Sequence, residues 1–129
     1  MKAYHGTSIG NLINLVRKPK AGLYVTDTRA NASRYANTQA TGFVSAEYTE
    51  LAEGAVIVEI EVDDNTSFLR RPSDHASLDT SEAYAEEFKI VAVEIKPHAY
   101  SNTLYGRRGS HMSYQQIVEM LEQHGISII

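Results

Sequence analysis

The side chains best suited to chemistry come in the order imidazole, phenol, phenol, carboxylate. His5 is followed by Tyr24 and, eleven residues later, by Tyr35, and Glu87 stands far downstream at the start of a long apolar run. A neutral imidazole can donate a hydrogen bond to a sugar hydroxyl, and two phenol rings can enclose a flat ring. A carboxylate can stabilise positive charge at a sugar carbon. This set suits a flat, electron-poor ring attached to a sugar, and nicotinamide riboside is a target of that kind.

Each of these residues also has a purely structural interpretation. A histidine before a glycine, as in His5 and Gly6, is typical of a surface position before a turn, although such a glycine also lets a ligand approach the backbone. Tyr24 and Tyr35 can pack together between a strand and a helix. Glu87 can be a solvated charge that flanks a strand. A catalytic role requires that all four side chains converge on one cleft.

The strands that would position these residues differ in strength. Residues 55–62 and 88–95 are strongly apolar and predict two long strands. Residues 3–6, which carry His5, and residues 22–25, which carry Tyr24, predict shorter strands.

Three helices are predicted from capping residues and apolar spacing. Ser8 is placed to cap a first helix that ends before Pro19. Asp27 or Thr28 begins a second helix, which carries Tyr35 and runs to about residue 38. Ser113 and Gln116 form a capping box for a third helix, which ends near residue 125, and residues 126–129 predict a last strand. The apolar face of the first helix consists of Ile9, Leu12, Ile13, Leu15 and Val16.

The spacing of these elements predicts the fold class. The two strong strands lie far apart without an alternation of strand and helix between them, and this favours an α+β fold with a mostly antiparallel sheet over a doubly wound sheet. For residues 43–53 the sequence allows either a loop or a short helix. Residues 70–82 are polar and predict a loop, and long loops in compact domains often carry function. Residues 105–112 predict a flexible connector.

Composition narrows the functional classes. A length of 129 residues predicts a single domain over 1–129, and the net charge of −4 disfavours non-specific nucleic-acid binding. The absence of cysteine excludes disulfides and fits a reducing cytoplasm. The five histidines show none of the spacings typical of metal sites, so we expect no metal ion. No apolar stretch reaches 18 residues, so we expect no membrane span.

Four segments together resemble the ADP-ribosyltransferase superfamily, in its branch similar to diphtheria toxin and poly(ADP-ribose) polymerases. This family shows a His-Gly-Thr/Ser strand, a Gly-hydrophobic-Tyr step, a helix ending in Tyr eleven residues later, and a Glu-aromatic step into a strand. The resemblance spans residues 4–95 and leaves 99–129 unmatched. It implies an ADP-ribosyltransferase-like split β-sheet core, mostly antiparallel, with short flanking helices. The matching segments are Tyr4-His5-Gly6-Thr7, Gly22-Leu23-Tyr24-Val25-Thr26-Asp27, Ala32-Ser33-Arg34-Tyr35-Ala36 and Glu86-Glu87-Phe88-Lys89-Ile90-Val91.

The resemblance implies NAD as the donor substrate and assigns residues to its binding. His5 would bond a ribose of NAD, and Thr7 would add a ribose contact. The backbone of Gly6 would bind the carboxamide. Tyr24 and Tyr35 would enclose the nicotinamide ring.

The resemblance also implies the catalytic residues. Glu87, assisted by His5 and Tyr24, would hold the ribose 2′-hydroxyl and stabilise the oxocarbenium-like transition state as nicotinamide leaves. The acceptor would be read by a loop before this glutamate, at about 70–86. Candidates for contact with the acceptor are Arg71, Asp74, His75 and Glu86.

The implied function is a mono-ADP-ribosyltransferase that modifies a host protein in the cytoplasm, as a bacterial toxin or a phage effector. Arginine is disfavoured as the acceptor residue, because Ala85 stands two residues before Glu87 and Tyr4-His5 replaces the arginine of arginine-modifying relatives. Three alternatives remain: a nucleic-acid acceptor, which the acidic chain makes less favourable, an NAD glycohydrolase, and a non-catalytic binding or inhibitor protein on the same fold.

Overall fold

The computed structural model describes residues 1–19, 21–41, 55–71, 80–95, 104–105 and 112–129. Over these ranges the fold is α+β, with a mostly antiparallel seven-stranded sheet and three short helices, and the predicted fold class is confirmed to that extent. None of these helices is both long enough and apolar enough to cross a membrane. The elements are β1 (Lys2–Ser8), α1 (Ile9–Arg17), β2 (Leu23–Thr26), α2 (Arg29–Thr41), β3 (Ala55–Glu61), β4 (Leu69–Arg71), β5 (Thr80–Ala85), β6 (Lys89–Ile95), β7 (Leu104–Tyr105), β8 (Met112–Ser113), α3 (Tyr114–Gln123) and β9 (Ser127–Ile128).

The large sheet has the strand order β4-β5-β2-β1-β3-β6-β9. Its neighbouring strands are antiparallel except β6 and β9, which are parallel, while β7 and β8 form a separate antiparallel ribbon. β1 pairs with β3 along its whole length, from Lys2 opposite Glu61 to Ser8 opposite Ala55. In contrast, β1 and β2 share a single register pair, Tyr4 opposite Thr26. The sheet is therefore almost divided between β1 and β2.

The helix caps that the sequence predicts are present. The Ser8 hydroxyl accepts a hydrogen bond from the Asn11 N–H at 3.3 Å and begins α1. The Ser113 hydroxyl accepts from the Gln116 N–H at 3.2 Å, and Gln116 Oε1 accepts from the Ser113 N–H at 2.9 Å, which completes the capping box of α3. Such caps satisfy backbone N–H groups that have no partner within the helix, so they fix where each helix begins.

The prediction of a loop over residues 70–82 is wrong at both ends. β4 extends to Arg71 and β5 begins at Thr80, and the two strands pair with each other, while residues 72–79 lie outside the described parts of the chain. Ala83 and Ala85 point into the core and Tyr84 points out, so β5 has the two-residue period of a strand. Alanine is depleted in strands, and the segment therefore gives a weak strand signal.

Smaller differences affect the other boundaries. α2 continues to Thr41 instead of ending near residue 38. The predicted connector at 105–112 begins in β7 and ends in β8, and the ambiguous segment 43–53 lies outside the described residues.

The sheet is covered on both faces at its centre. Val56, Val58 and Ile60 of β3 join the main apolar core together with residues of α1 and α3. On the opposite face Ala55 packs against Ala36 of α2. Burial on both faces explains why β3 is apolar in sequence without a strict alternation.

Candidate active site

Arg29 anchors the first turn of α2 to the sheet. Its Nη1 lies 3.3 Å from Glu59 Oε1 on β3, and its Nη2 lies 3.1 Å from Glu94 Oε2 on β6. The guanidinium carbon also lies 5.9 Å from the centre of the Tyr4 ring on β1, within the range of a cation–π contact. One side chain thus ties the start of α2 to three neighbouring strands.

A second set of hydrogen bonds aligns α2 with the end of β2. Thr28 caps the helix, because its hydroxyl accepts from the Asn31 N–H at 3.3 Å. The Asn31 amide donates to Thr26 Oγ1 at 3.3 Å and accepts from the Arg34 guanidinium. Tyr35 follows Asn31 by about one helical turn, so it lies on the same side of α2.

A row of paired residues brings a carboxylate under this helix. Tyr4 lies opposite Thr26, and Thr26 lies opposite Glu82 on β5. Residues directly opposite on antiparallel strands place their side chains on the same face, so the row Tyr4, Thr26, Glu82 faces α2. The Tyr35 hydroxyl donates to Glu82 Oε1, so α2 contacts the last residue of this row.

A second pair of tyrosines lies beside this row. Tyr24 is directly opposite Tyr84, and their ring centres are 5.1 Å apart with an interplanar angle of 65°, an edge-to-face contact. The Tyr84 ring covers Gly22, where an added Cβ would lie 2.6 Å from Tyr84 Cε1. Tyr24 is 61% exposed, so little of its ring packs against the protein. Its edge contact with Tyr84 therefore helps to fix the orientation of the ring.

His5 bridges the gap between β1 and β2. Its Nδ1 lies 2.7 Å from the carbonyl oxygen of Tyr24. A carbonyl oxygen only accepts, so Nδ1 carries the proton, and in a neutral imidazole Nε2 is then an acceptor. A neutral His5 can therefore accept a hydrogen bond from a sugar hydroxyl at Nε2, in contrast to the donor role that the sequence suggested.

These elements border an open cavity of about 340 Å³. Its volume lies in the range of small-molecule sites, which is about 300–1,000 Å³. Imidazole, phenol, hydroxyl and carboxylate groups all border it, so it offers both flat apolar surface and polar anchors. The lining residues are Tyr4, His5, Tyr24, Val25, Thr26, Tyr35 and Glu82.

The structure brings together His5, Tyr24 and Tyr35. Gly6 and Thr7, which follow His5 on β1, do not line the same cavity. Gly6 is buried against α2, where an added Cβ would lie 2.6 Å from the Ala36 backbone nitrogen. Thr7 is 3% exposed and is not among the lining residues. The space that the sequence assigned to a ligand beside Gly6 is filled by the helix backbone.

The carboxylate in the cavity is Glu82, not Glu87. Glu87 is exposed in the bend between β5 and β6, and neither it nor the adjacent Glu86 lines the cavity. The sequence signal that could have indicated Glu82 is the alternation that follows it, with Ala83 and Ala85 on one face and Tyr84 on the other.

The other candidates for contact with an acceptor are only partly described. Arg71 is the last residue of β4. Asp74 and His75 lie outside the described residues, so their position relative to the cavity stays a prediction.

Comparisons with family models, curated proteins and solved structures return no match for this chain. Its function therefore has to be inferred from the side chains of the cavity and from the sequence segments that resemble a known superfamily. Six residues from those segments line one cavity, and His5, Tyr24 and Tyr35 are among them.

Proposed function

We propose that this chain is a mono-ADP-ribosyltransferase that transfers ADP-ribose from NAD to a protein acceptor. The observation that supports this most strongly is the single cavity that His5, Tyr24, Tyr35 and Glu82 line together. These side chains come from β1, β2, α2 and β5, so only the tertiary structure unites them. Their chemistry suits a nicotinamide riboside, which joins a flat ring to a sugar.

In this proposal Tyr24 and Tyr35 hold the nicotinamide ring between them. Stacking of a flat base on an aromatic side chain contributes about 1–3 kcal/mol. We assign Gly6 and Thr7 to the support of the site, because Gly6 is in close contact with α2 and Thr7 is buried in the sheet. His5 accepts a hydrogen bond from a ribose hydroxyl at Nε2.

We assign the catalytic carboxylate to Glu82 instead of Glu87. The bond between the anomeric carbon and the nicotinamide nitrogen breaks, and its electron pair leaves with neutral nicotinamide. The ribose then carries an oxocarbenium-like positive charge, which a carboxylate held in the cavity stabilises. Glu82 also accepts a hydrogen bond from the ribose 2′-hydroxyl. A nucleophile of the acceptor then forms the new bond to the anomeric carbon, and its proton passes to solvent.

We also propose that the sheet is of the ADP-ribosyltransferase-like split type. Support comes from the single register pair between β1 and β2, Tyr4 opposite Thr26. The hydrogen bond from His5 to the Tyr24 carbonyl spans this near-division, and the cavity lies beside it. A split at this place would admit the nicotinamide ring between the two halves of the sheet.

The biological setting that we propose is a bacterial toxin or phage effector acting on a host protein in the cytoplasm. The absence of cysteine fits a reducing compartment.

A titration with NAD tests this proposal. A ligand that binds only the folded chain raises its melting temperature, so we expect the melting temperature to increase with NAD concentration. Tyr24→Ala should lose this increase, whereas Tyr114→Ala, which alters an exposed tyrosine that does not line the cavity, should keep it. We expect the same samples to release nicotinamide and, with labelled NAD and host lysate, to label one or a few proteins.

Other outcomes identify the alternatives. Nicotinamide release without labelled protein indicates an NAD glycohydrolase, and a label that nuclease removes indicates a nucleic-acid acceptor. No increase in melting temperature and no nicotinamide release contradict the proposal and favour a non-catalytic binding protein.

The hydroxyl of Tyr35 gives a further prediction. Tyr35→Phe keeps the ring and removes the donor to Glu82. A hydrogen bond to a charged group contributes about 1.5 kcal/mol, so we expect kcat for nicotinamide release to fall about tenfold. KM for NAD should change little, because the ring remains, whereas Tyr35→Leu should also raise KM. An unchanged kcat in Tyr35→Phe would show that the hydroxyl does not orient the carboxylate.

A further inference from the structure

The exposed apolar side chains are concentrated around Glu82. Among the described residues, the large apolar side chains that are exposed are Met1, Tyr24, Tyr35, Leu69, Tyr84, Tyr114 and Ile129. Four of these seven, Tyr24, Tyr35, Leu69 and Tyr84, lie on the elements that surround this carboxylate. Exposed apolar groups that cluster beside a site indicate a surface for a partner.

Three of them occupy one face of three neighbouring strands. Leu69 on β4 is directly opposite Glu82 and is 71% exposed. Tyr84 is the next residue of β5 on the same face as Glu82, and it pairs with Tyr24 on β2. We call Leu69, Tyr84 and Tyr24 the acceptor platform. Because Tyr24 also lines the cavity, the acceptor platform and the cavity are continuous.

Charge around the acceptor platform limits the class of partner. Glu86 and Glu87 are exposed and follow Tyr84 closely in the chain. With Glu82 they place carboxylates at the border of an apolar surface. Such a border repels phosphate groups and attracts lysine or arginine side chains. On β4, Arg70 alternates with Leu69 and belongs to the opposite face of the sheet, whereas Arg71, the last residue of the strand, returns to the face of Leu69. The three carboxylates outnumber this one arginine.

We propose that the acceptor platform binds the protein that receives ADP-ribose, through an apolar side chain flanked by lysine or arginine. This inference rests on the proposed function and specifies its acceptor. A partner seated on Leu69 and Tyr84 is next to Glu82, where the anomeric carbon is exposed to attack. Transfer to a protein therefore needs the acceptor platform, whereas hydrolysis does not, because water needs no such surface to reach the anomeric carbon.

The test compares these two reactions in one variant. Leu69→Ala removes an exposed apolar side chain from the acceptor platform at a residue that does not line the cavity, and it adds no charge opposite Glu82. We expect label transfer to the soluble proteins of a host lysate to fall by about tenfold or more, and nicotinamide release into buffer to stay unchanged. Ile129→Ala is the matched control, since Ile129 is 63% exposed and follows β9 at the other edge of the sheet. It should retain both reactions.

Ionic strength gives an independent readout. Salt screens exposed charges, so label transfer by the wild type should weaken as salt rises while nicotinamide release does not. The inference is overturned if Leu69→Ala transfers label as well as the wild type does, if nuclease removes the label, or if the wild type releases nicotinamide without labelling protein. If the wild type neither binds NAD nor releases nicotinamide, the proposed function itself has failed, and the acceptor platform has no reaction to serve.

Discussion

Glu82→Gln will slow nicotinamide release by about 10²–10³-fold, the usual consequence of removing one preorganised group that stabilises transition-state charge. Glutamine keeps the size of the side chain and a hydrogen-bond acceptor but loses the negative charge. Glu82 lines the cavity and accepts from the Tyr35 hydroxyl, so its charge lies where the positive charge of the ribose develops. NAD binding should survive, because both tyrosine rings remain.

Glu87→Gln is the matched control for this experiment. It makes the same chemical change five residues away, at an exposed position that does not line the cavity. We expect its nicotinamide release to equal that of the wild type, with NAD affinity measured by thermal shift in both variants. A large loss in Glu87→Gln together with full activity in Glu82→Gln would return the catalytic role to Glu87.

The parts of the fold that the sequence predicted are those with local signals. Ser8 before α1 and the pair Ser113 and Gln116 before α3 act within one helical turn, so the residues that make the hydrogen bonds are neighbours in the sequence. The two long strands β3 and β6 were predicted because their apolar runs are long enough to stand out.

The sequence does not predict β5, because this strand is stabilised by pairing with strands that lie elsewhere in the chain. Thr80–Ala85 is short, small and partly polar, and it is held by pairing with β2 and β4 on both sides. Its partner β2 lies far away in the sequence, and that pairing sets Glu82 opposite Thr26. The sequence alone therefore favours Glu87, which stands next to a visible apolar run. Register between distant strands decides which carboxylate faces the cavity, and the alternation within β5 shows only that Glu82 and Tyr84 share a face.

Gly6 is a second position whose surroundings depend on tertiary contacts that the local sequence does not reveal. A glycine after His5 suggested an approach for a ligand, and this was the reasonable local interpretation. In the structure the backbone of α2 takes that place, and an added Cβ would overlap with the Ala32 carbonyl oxygen. The residue is thus a contact point between β1 and α2, the two elements that carry His5 and Tyr35.

Gly6→Ala should therefore destabilise the protein and move the residues that line the cavity apart. The added methyl group meets backbone atoms of a helix, which cannot rotate away as a flexible side chain can, so α2 must shift off β1. Overpacking of this kind costs about 3 kcal/mol of unfolding free energy. The shift also moves Tyr35 away from His5, so we expect NAD to lose its effect on the melting temperature.

Gly125→Ala provides the comparison, because it makes the same substitution where no atom lies within 4 Å of the added Cβ. Gly125 has a φ of 70°, so alanine there costs about 1 kcal/mol through backbone strain alone. Urea unfolding measures both variants, with equal slopes required for a valid comparison of midpoints. We expect Gly125→Ala to keep the response to NAD. If Gly6→Ala unfolds at the same urea concentration as the wild type, α2 does not lie against β1 as closely as the structure has it, and the cavity would lose the wall that brings Tyr35 to Glu82.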